Sequence, residues 1–194
     1  MGREFELKFR ADAAVIQQIR EKYGCFTSIS METTYYDTFD LKLAFHHWTL
    51  RRRMENGLSV CTFKRPHKDG GRGEWEVEAD SIMEGVMKLC QAGADWELMR
   101  ATAGGLMETC GARFTRLAKE LNVPGGRVEL ALDQGVLIGK GREQLFAEVE
   151  VELKEGSDEI AVSFAKALAE EFGLVPEPKS KFVRAMALAM QASP

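Results

Sequence analysis

Apolar and polar residues alternate with a period of two along much of this chain, the mark of strands with one apolar and one polar face. From Arg3 to Arg10, Phe5, Leu7 and Phe9 alternate with Glu4, Glu6, Lys8 and Arg10, predicting a first strand. Thr33 to Asp37 reads as a strand. Trp48 to Met54 and Leu58 to Lys64 predict a hairpin, because Glu55-Asn56-Gly57 supplies turn residues between them. Pro66 to Gly73 is a polar, glycine-rich loop, after which Arg72 to Asp80 alternates again. Glu108 to Lys119, Arg127 to Leu137 and Glu143 to Leu153 complete the strand candidates, the last two joined at Gly139-Lys140-Gly141.

A period of 3.6 interrupts this pattern at intervals. Asp12 is an N-cap candidate for a helix carrying Val15, Ile16, Ile19 and Tyr23 on one face. Asp40 to Phe45 predicts a short helical turn. Ser81-Ile82-Met83-Glu84 has the form of a capping box ahead of Val86, Leu89 and Cys90. Gly93 to Met107 reads as partly helical. Ser157 caps a helix with Ile160, Phe164 and Leu168 that ends at Gly173, and Lys181 to Gln191 predicts a last short one. Many short strands with helices between them predict an α+β fold with a sizeable antiparallel sheet.

The polar faces of these strands are unusual. Side chains at i, i+2 and i+4 share a face, about 7 Å apart, so Glu148, Glu150 and Glu152 stack in a row. Glu4, Glu6 and Lys8 do the same, as do Arg51 with Arg53, Thr62 with Lys64, and Glu129 with Ala131 and Asp133. One arrangement is a sheet with a solvated face. The other is a closed barrel whose charged face lines a cavity and whose apolar face lies under helices. Segregation of acid to the ends of the chain and base to the middle hairpin favours the cavity. A row of glutamates also calls for a hard cation such as Mg²⁺ or Mn²⁺, and arginine forks match phosphate oxygens.

Composition narrows the class further. With 26 Lys+Arg against 30 Asp+Glu in 194 residues, the net charge of −4 argues against general nucleic-acid binding. No apolar run is long enough to suggest a membrane span. Cys25, Cys61, Cys90 and Cys110 form no CxxC, which fits reduced thiols in a cytoplasmic protein.

Glu4-Phe5-Glu6-Leu7-Lys8 resembles the ExExK signature of CYTH domains, the triphosphate tunnel metalloenzymes. Leu50-Arg51-Arg52-Arg53 before Glu55-Asn56-Gly57 is similar to that family's LRxR hairpin, and Thr62-Phe63-Lys64 to its basic strand. Arg72-Gly73-Glu74, Phe114-Thr115-Arg116, Ala131-Leu132-Asp133-Gln134-Gly135, Glu148 to Lys154, and Ser180-Lys181 with Arg184 resemble its later elements, in the family's order. LRxRxENG, ALDQG and the acidic strand together are most similar to the bacterial inorganic triphosphatases.

The resemblance implies an eight-stranded antiparallel β-barrel enclosing a tunnel, with helices packed outside, and residues 1–194 as a single CYTH domain. It implies an enzyme that hydrolyses inorganic triphosphate to pyrophosphate and phosphate with Mg²⁺ or Mn²⁺, with no nucleic-acid or membrane partner. Glu4, Glu6, Glu148, Glu150 and Glu152 are then the metal and water ligands. Lys8, Arg51, Arg53, Lys64, Arg72, Arg116, Lys181 and Arg184 form the phosphate clamp. Glu74 and Asp133 orient bases or water, and the Glu148-Glu150-Glu152 strand positions the attacking water. The alternatives are a class IV-type adenylate cyclase, a thiamine or nucleoside triphosphatase, and a non-catalytic polyphosphate-binding module. The first needs a seat for adenine; no inward aromatic pair is placed to provide one, although Phe114 and Phe146 share parity with the tunnel residues. Arg52, Cys61, Trp48 and Trp75 have outward parity, Arg113 reads as surface, and His46, His47 and His67 read as structural or surface.

Overall fold

The computed structural model describes residues 2–66 and 72–191, with the side chains of residues 2–4 and 72 outside that description. Strands β1 (Gly2–Glu4), β2 (Glu6–Arg10), β3 (Thr27–Asp37), β4 (Thr49–Glu55), β5 (Leu58–Pro66), β6 (Arg72–Glu78), β7 (Met107–Val123), β8 (Gly126–Gly139), β9 (Arg142–Glu155) and β10 (Val175–Pro176) form one sheet. Helices α1 (Ala13–Tyr23), α2 (Lys42–Phe45), α3 (Ile82–Gln91), α4 (Glu97–Thr102), α5 (Asp158–Phe172) and α6 (Lys181–Met190) complete the α+β fold. No helix among the described residues is long and apolar enough to cross a membrane.

The strand order is β1-β6-β5-β4-β3-β7-β8-β9-β2-β10, and every pair is antiparallel. Among the described residues, ten strands stand where eight were expected, for two reasons. The N-terminal segment is divided at Phe5, and a two-residue strand adds to the edge of β2. The first division follows from a double commitment: Glu4 pairs with Arg72 of β6, whereas Lys8 pairs with Glu150 of β9. One extended segment thus touches both ends of the ladder, and Phe5 is the joint. The ladder itself is open, not a closed ring.

Local chemistry sets the corners. The β4–β5 turn is made by Asn56 and Gly57 at φ 49° and 91°, and the β8–β9 turn by Lys140 and Gly141 at φ 49° and 78°. Positive φ at both central residues matches the twist of a tight hairpin. The Asp12 side chain caps α1 by accepting from Val15 N at 2.9 Å. Ser81 Oγ accepts from Glu84 N at 3.3 Å, and Glu84 accepts from Asp80 N at 3.0 Å, so the carboxylate reaches one residue further back than a capping box predicts. β3 begins six residues before the expected Thr33 because Thr27 to Glu32 pair with β7.

Three apolar clusters account for the faces. Helices α1 and α5 bury Ile16, Ile19, Ala161 and Leu168 against Leu130, Leu132, Val149 and Val151. Helices α3 and α4 cover Cys61, Phe63, Trp48 and Trp75, so those side chains have the outward direction their parity predicts. Helix α6 does something else: it lies on the same sheet face as the charged rows, with Ala185 against Tyr35, Phe114 and Leu137. Its backbone rides on β8 at Gly139, where a Cβ would meet Ala189 N at 2.5 Å and Ala185 O at 2.7 Å. Gly139→Ala is therefore expected to lift α6, lowering both the melting temperature and any activity that depends on its side chains. Thermal denaturation beside an activity assay checks this, and an unchanged melting temperature would show that the contact is not needed.

Candidate active site

The charged rows of β2, β4, β5, β7 and β9 converge on a cavity of about 390 Å³. Glu6, Glu150 and Glu152 line one wall; their strands are neighbours, with Glu6 opposite Glu152 and Lys8 opposite Glu150. Arg51, Arg53, Lys64 and Arg116 line the other parts, together with Lys8 and Lys181. Thr33, Thr49 and Thr62 lie among the bases, and Tyr35, Phe114 and Phe182 supply an apolar side.

The side chains are held mainly by one another. Lys64 is 3.1 Å from Glu74, and Arg51 is 3.8 Å from the same carboxylate. Glu74 thus sits behind two bases. Glu76 is 3.7 Å from Arg51, 3.8 Å from Arg53, and accepts from Thr62 Oγ1 at 2.8 Å. Arg53 also pairs with Glu55. Burial and the adjacent Arg51 charge both lower the Arg53 pKa. Lys8 is 3.1 Å from Glu6, and Lys154 is 2.9 Å from Glu152.

Deeper in, Asp133, Glu148 and Glu150 offer oxygens within 4.8 Å of one another, a spacing that by itself suggests a cation. The cation present is a side chain. Lys181 Nζ lies 2.7 Å from Asp133 and 2.9 Å from Glu150, and also pairs with Glu148. Arg116 grips Asp133 with two bonds, at 2.8 and 2.7 Å, and pairs with Glu150. Arg184 pairs with Glu148. Three carboxylates meet three bases, so the cluster neutralises itself. Burial alone would raise the Glu150 carboxyl, but Lys181 and Arg116 override it and hold the group well below the ordinary range. Burial, reinforced by the Glu150 charge, raises the Glu148 carboxyl against the pull of Lys181 and Arg184.

Delivery of Lys181 and Arg184 is local chemistry. Ser180 Oγ accepts from Val183 N at 3.2 Å, which starts α6 at Lys181 and puts Arg184 one turn on, on the same face. Phe114 and Phe146 lie beneath them: Lys181 Nζ is 5.0 and 5.5 Å from the two ring centres, and Arg184 is 5.4 Å from Phe146. These rings cushion cations. The segment before α6 is tied to β2 by the buried Glu177, whose N–H donates to Lys8 O at 2.8 Å and whose carboxylate accepts from Lys179 N at 3.0 Å.

A family model described as the CYTH domain matches residues 2–186. The chain belongs to the CYTH domain family. Solved structures support the same fold at low sequence identity. A Hippeastrum protein, a candidate adenylyl cyclase whose dominant activity is that of a triphosphatase, is 21% identical with a TM-score of 0.72, and the match covers 97% of each chain. A candidate adenylate cyclase from Bacillus halodurans is 20% identical with a TM-score of 0.66, covering 95% of this chain and 98% of that one. A Pyrococcus horikoshii protein is 23% identical with a TM-score of 0.65, covering 97% and 99%.

Within this CYTH chain the expected site residues fall into three groups. Glu6, Lys8, Arg51, Arg53, Lys64, Arg116, Glu150, Glu152 and Lys181 line the cavity. Glu74, Asp133, Glu148 and Arg184 stand behind them in ion pairs; Glu148 in particular is fully buried against Lys181 and Arg184 rather than facing the cavity with its neighbours in the row. The side chains of Glu4 and Arg72, like all of His67, lie outside the described residues. Arg113 pairs with Glu143 at 3.0 Å on the exposed side, and Arg52 donates to Ser59 Oγ at 2.9 Å, away from the cavity lining. Tyr35 and Phe182, 5.0 Å apart between ring centres, were missed, as were Thr33 and Thr49. Parity signals three of them: Thr33 and Tyr35 share a face of β3, and Thr49 shares one with Arg51 and Arg53, whereas Phe182 is on α6.

Proposed function

We propose that this CYTH chain hydrolyses inorganic triphosphate to pyrophosphate and phosphate. The observation that carries the proposal is the cavity with carboxylates on one wall and guanidinium and ammonium groups on the others. Residues 1–194 act as a single domain. The joint at Phe5, between halves that pair with opposite ends of the ladder, supports a tunnel-forming barrel. The cytoplasm is the proposed compartment.

Glu6, Glu150 and Glu152 suit a hard divalent ion by donor type, since all are carboxylates on neighbouring strands facing the cavity. Glu4 belongs with them by the motif. Glu148 belongs instead to the ion pairs that hold Lys181 and Arg184. Mg²⁺ or Mn²⁺, when bound, neutralises phosphate charge and makes water a better nucleophile. Arg51, Arg53, Lys64 and Lys8 hold the phosphate chain and stabilise charge on the leaving pyrophosphate, with Arg72 assigned to them by the motif. Arg116 and Lys181, fixed by Asp133 and Glu150, reach the cavity at the acidic wall. Glu152 accepts a proton from the attacking water. Phosphoryl transfer asks a protein for positioning and charge stabilisation more than for a covalent nucleophile, which this set of side chains supplies.

Tyr35, Phe114 and Phe182 on the cavity wall favour a second reading in which the substrate carries an organic group, as in a nucleoside triphosphate. A substrate panel decides between them. Triphosphate, ATP and thiamine triphosphate are incubated separately with Mg²⁺ or Mn²⁺, and phosphate and cyclic AMP are measured. The expected result is a higher kcat/KM for triphosphate than for ATP, and phosphate as product. Cyclic AMP from ATP at a higher kcat/KM would favour a cyclase, and binding without turnover a polyphosphate-binding module.

A further inference from the structure

On the wall formed by β3, β4 and β5, inward bases and inward threonines face one another across the ladders. Thr33 is opposite Arg53, Thr62 opposite Arg51, and Thr49 opposite Lys64. Like charges directly opposite each other on neighbouring strands repel, so the threonines keep the bases of this wall from pairing across it. A valine would separate them equally well but would offer the cavity no polar atom: Thr33 and Thr49 are 4% and 7% exposed and line the cavity, and neither hydroxyl has a hydrogen-bond partner among the described residues. Thr62 differs, because its hydroxyl donates to Glu76. Neither the Thr33 nor the Thr49 oxygen is among the fully buried, unpartnered side-chain atoms of the described residues, so each hydroxyl opens to the cavity with its donor and acceptor available to a ligand.

We infer that the Thr33 and Thr49 hydroxyls are direct, uncharged ligands of the phosphate chain, placed between the arginines and lysine that hold it. The inference rests on the triphosphate reading and deepens it. A hydroxyl rotates to aim its proton at an anionic oxygen, and it does so without adding to the repulsion among bases when the cavity holds no anion. The grip on substrate therefore has two components: one screened by salt, from Arg51, Arg53 and Lys64, and one that is not, from Thr33 and Thr49.

The test uses Thr33→Val, Thr49→Val and the corresponding serine variants of the full chain. Inorganic triphosphate binding is measured by calorimetry at several salt concentrations, and KM and kcat are taken with Mg²⁺. Each valine variant should weaken triphosphate binding about tenfold, with KM rising more than kcat falls. The salt dependence should stay that of the wild type, serine should restore binding, and the ligand-free valine variants should melt no lower than the wild type. A purely structural threonine predicts the opposite on the last point. Wild-type binding of triphosphate with no loss in either valine variant overturns the inference alone. Absence of triphosphate binding by the wild type overturns the substrate reading, and the inference with it.

Discussion

Glu150→Gln is expected to lower the turnover of triphosphate roughly a thousandfold while the protein stays folded. Among the described carboxylates, Glu150 is the one that belongs to both halves of the site: it lines the cavity with Glu6 and Glu152, and it bonds Lys181 and Arg116. Glutamine keeps the shape and an acceptor oxygen but removes the charge that a hard cation requires. Lys181 retains Asp133 and Glu148, which preserves the docking of α6. Turnover at saturating Mg²⁺, with circular dichroism as the folding control, is the measurement. Wild-type turnover with an unchanged metal requirement would remove Glu150 from the proposed metal ligands.

The second large effect is on stability. Asp133 is fully buried between two bonds to Arg116 and one ion pair to Lys181. Asp133→Ala leaves three cations of the cluster, Arg116, Lys181 and Arg184, sharing two carboxylates, Glu148 and Glu150. Removing one member of a buried ion pair costs about 3–5 kcal/mol, which lowers the melting temperature of a chain this size by roughly 10 °C. Arg116→Met in the same background should cost less than the sum of the two single changes, because the unpaired guanidinium goes with its partner. Additive losses in that cycle would mean that the two residues stabilise the fold independently, and the bidentate contact would lose its importance.

The parity of the strands was legible in the sequence wherever charge and apolar residue alternate strictly. Glu148 to Leu153 is the clearest case, and the outward Cys61, Trp48 and Trp75 follow from the same rule. What parity does not give is depth. Glu148 and Glu150 share a face, yet one is sealed behind Lys181 and Arg184 while the other reaches the cavity. That difference is made by α6, which is remote in sequence and whose landing place depends on Gly139 and on the tie at Glu177. The break at Phe5 is invisible for another reason: alternation runs straight through it, and only the two ladders on either side divide the segment. Thr33 and Thr49 were passed over because threonine in a strand needs no explanation beyond β-propensity until its hydroxyl is seen to lack a partner.

The joint at Phe5 also orders events in time. Gly2 to Arg10 leave the ribosome before any strand they pair with, and two of their partners, β9 and then β10, follow far later in the chain. At about 5–20 residues per second that delay is on the order of ten seconds. Pairing across so long a separation is slow in itself, because loop closure must precede the contacts that reward it. Glu6 and Lys8 therefore reach the cavity only once Glu150 and Glu152 exist. No nascent fragment that stops short of β9 carries both the acidic and the basic wall, so the capacity to seize phosphate and a metal together arrives late, when nearly the whole chain has been made.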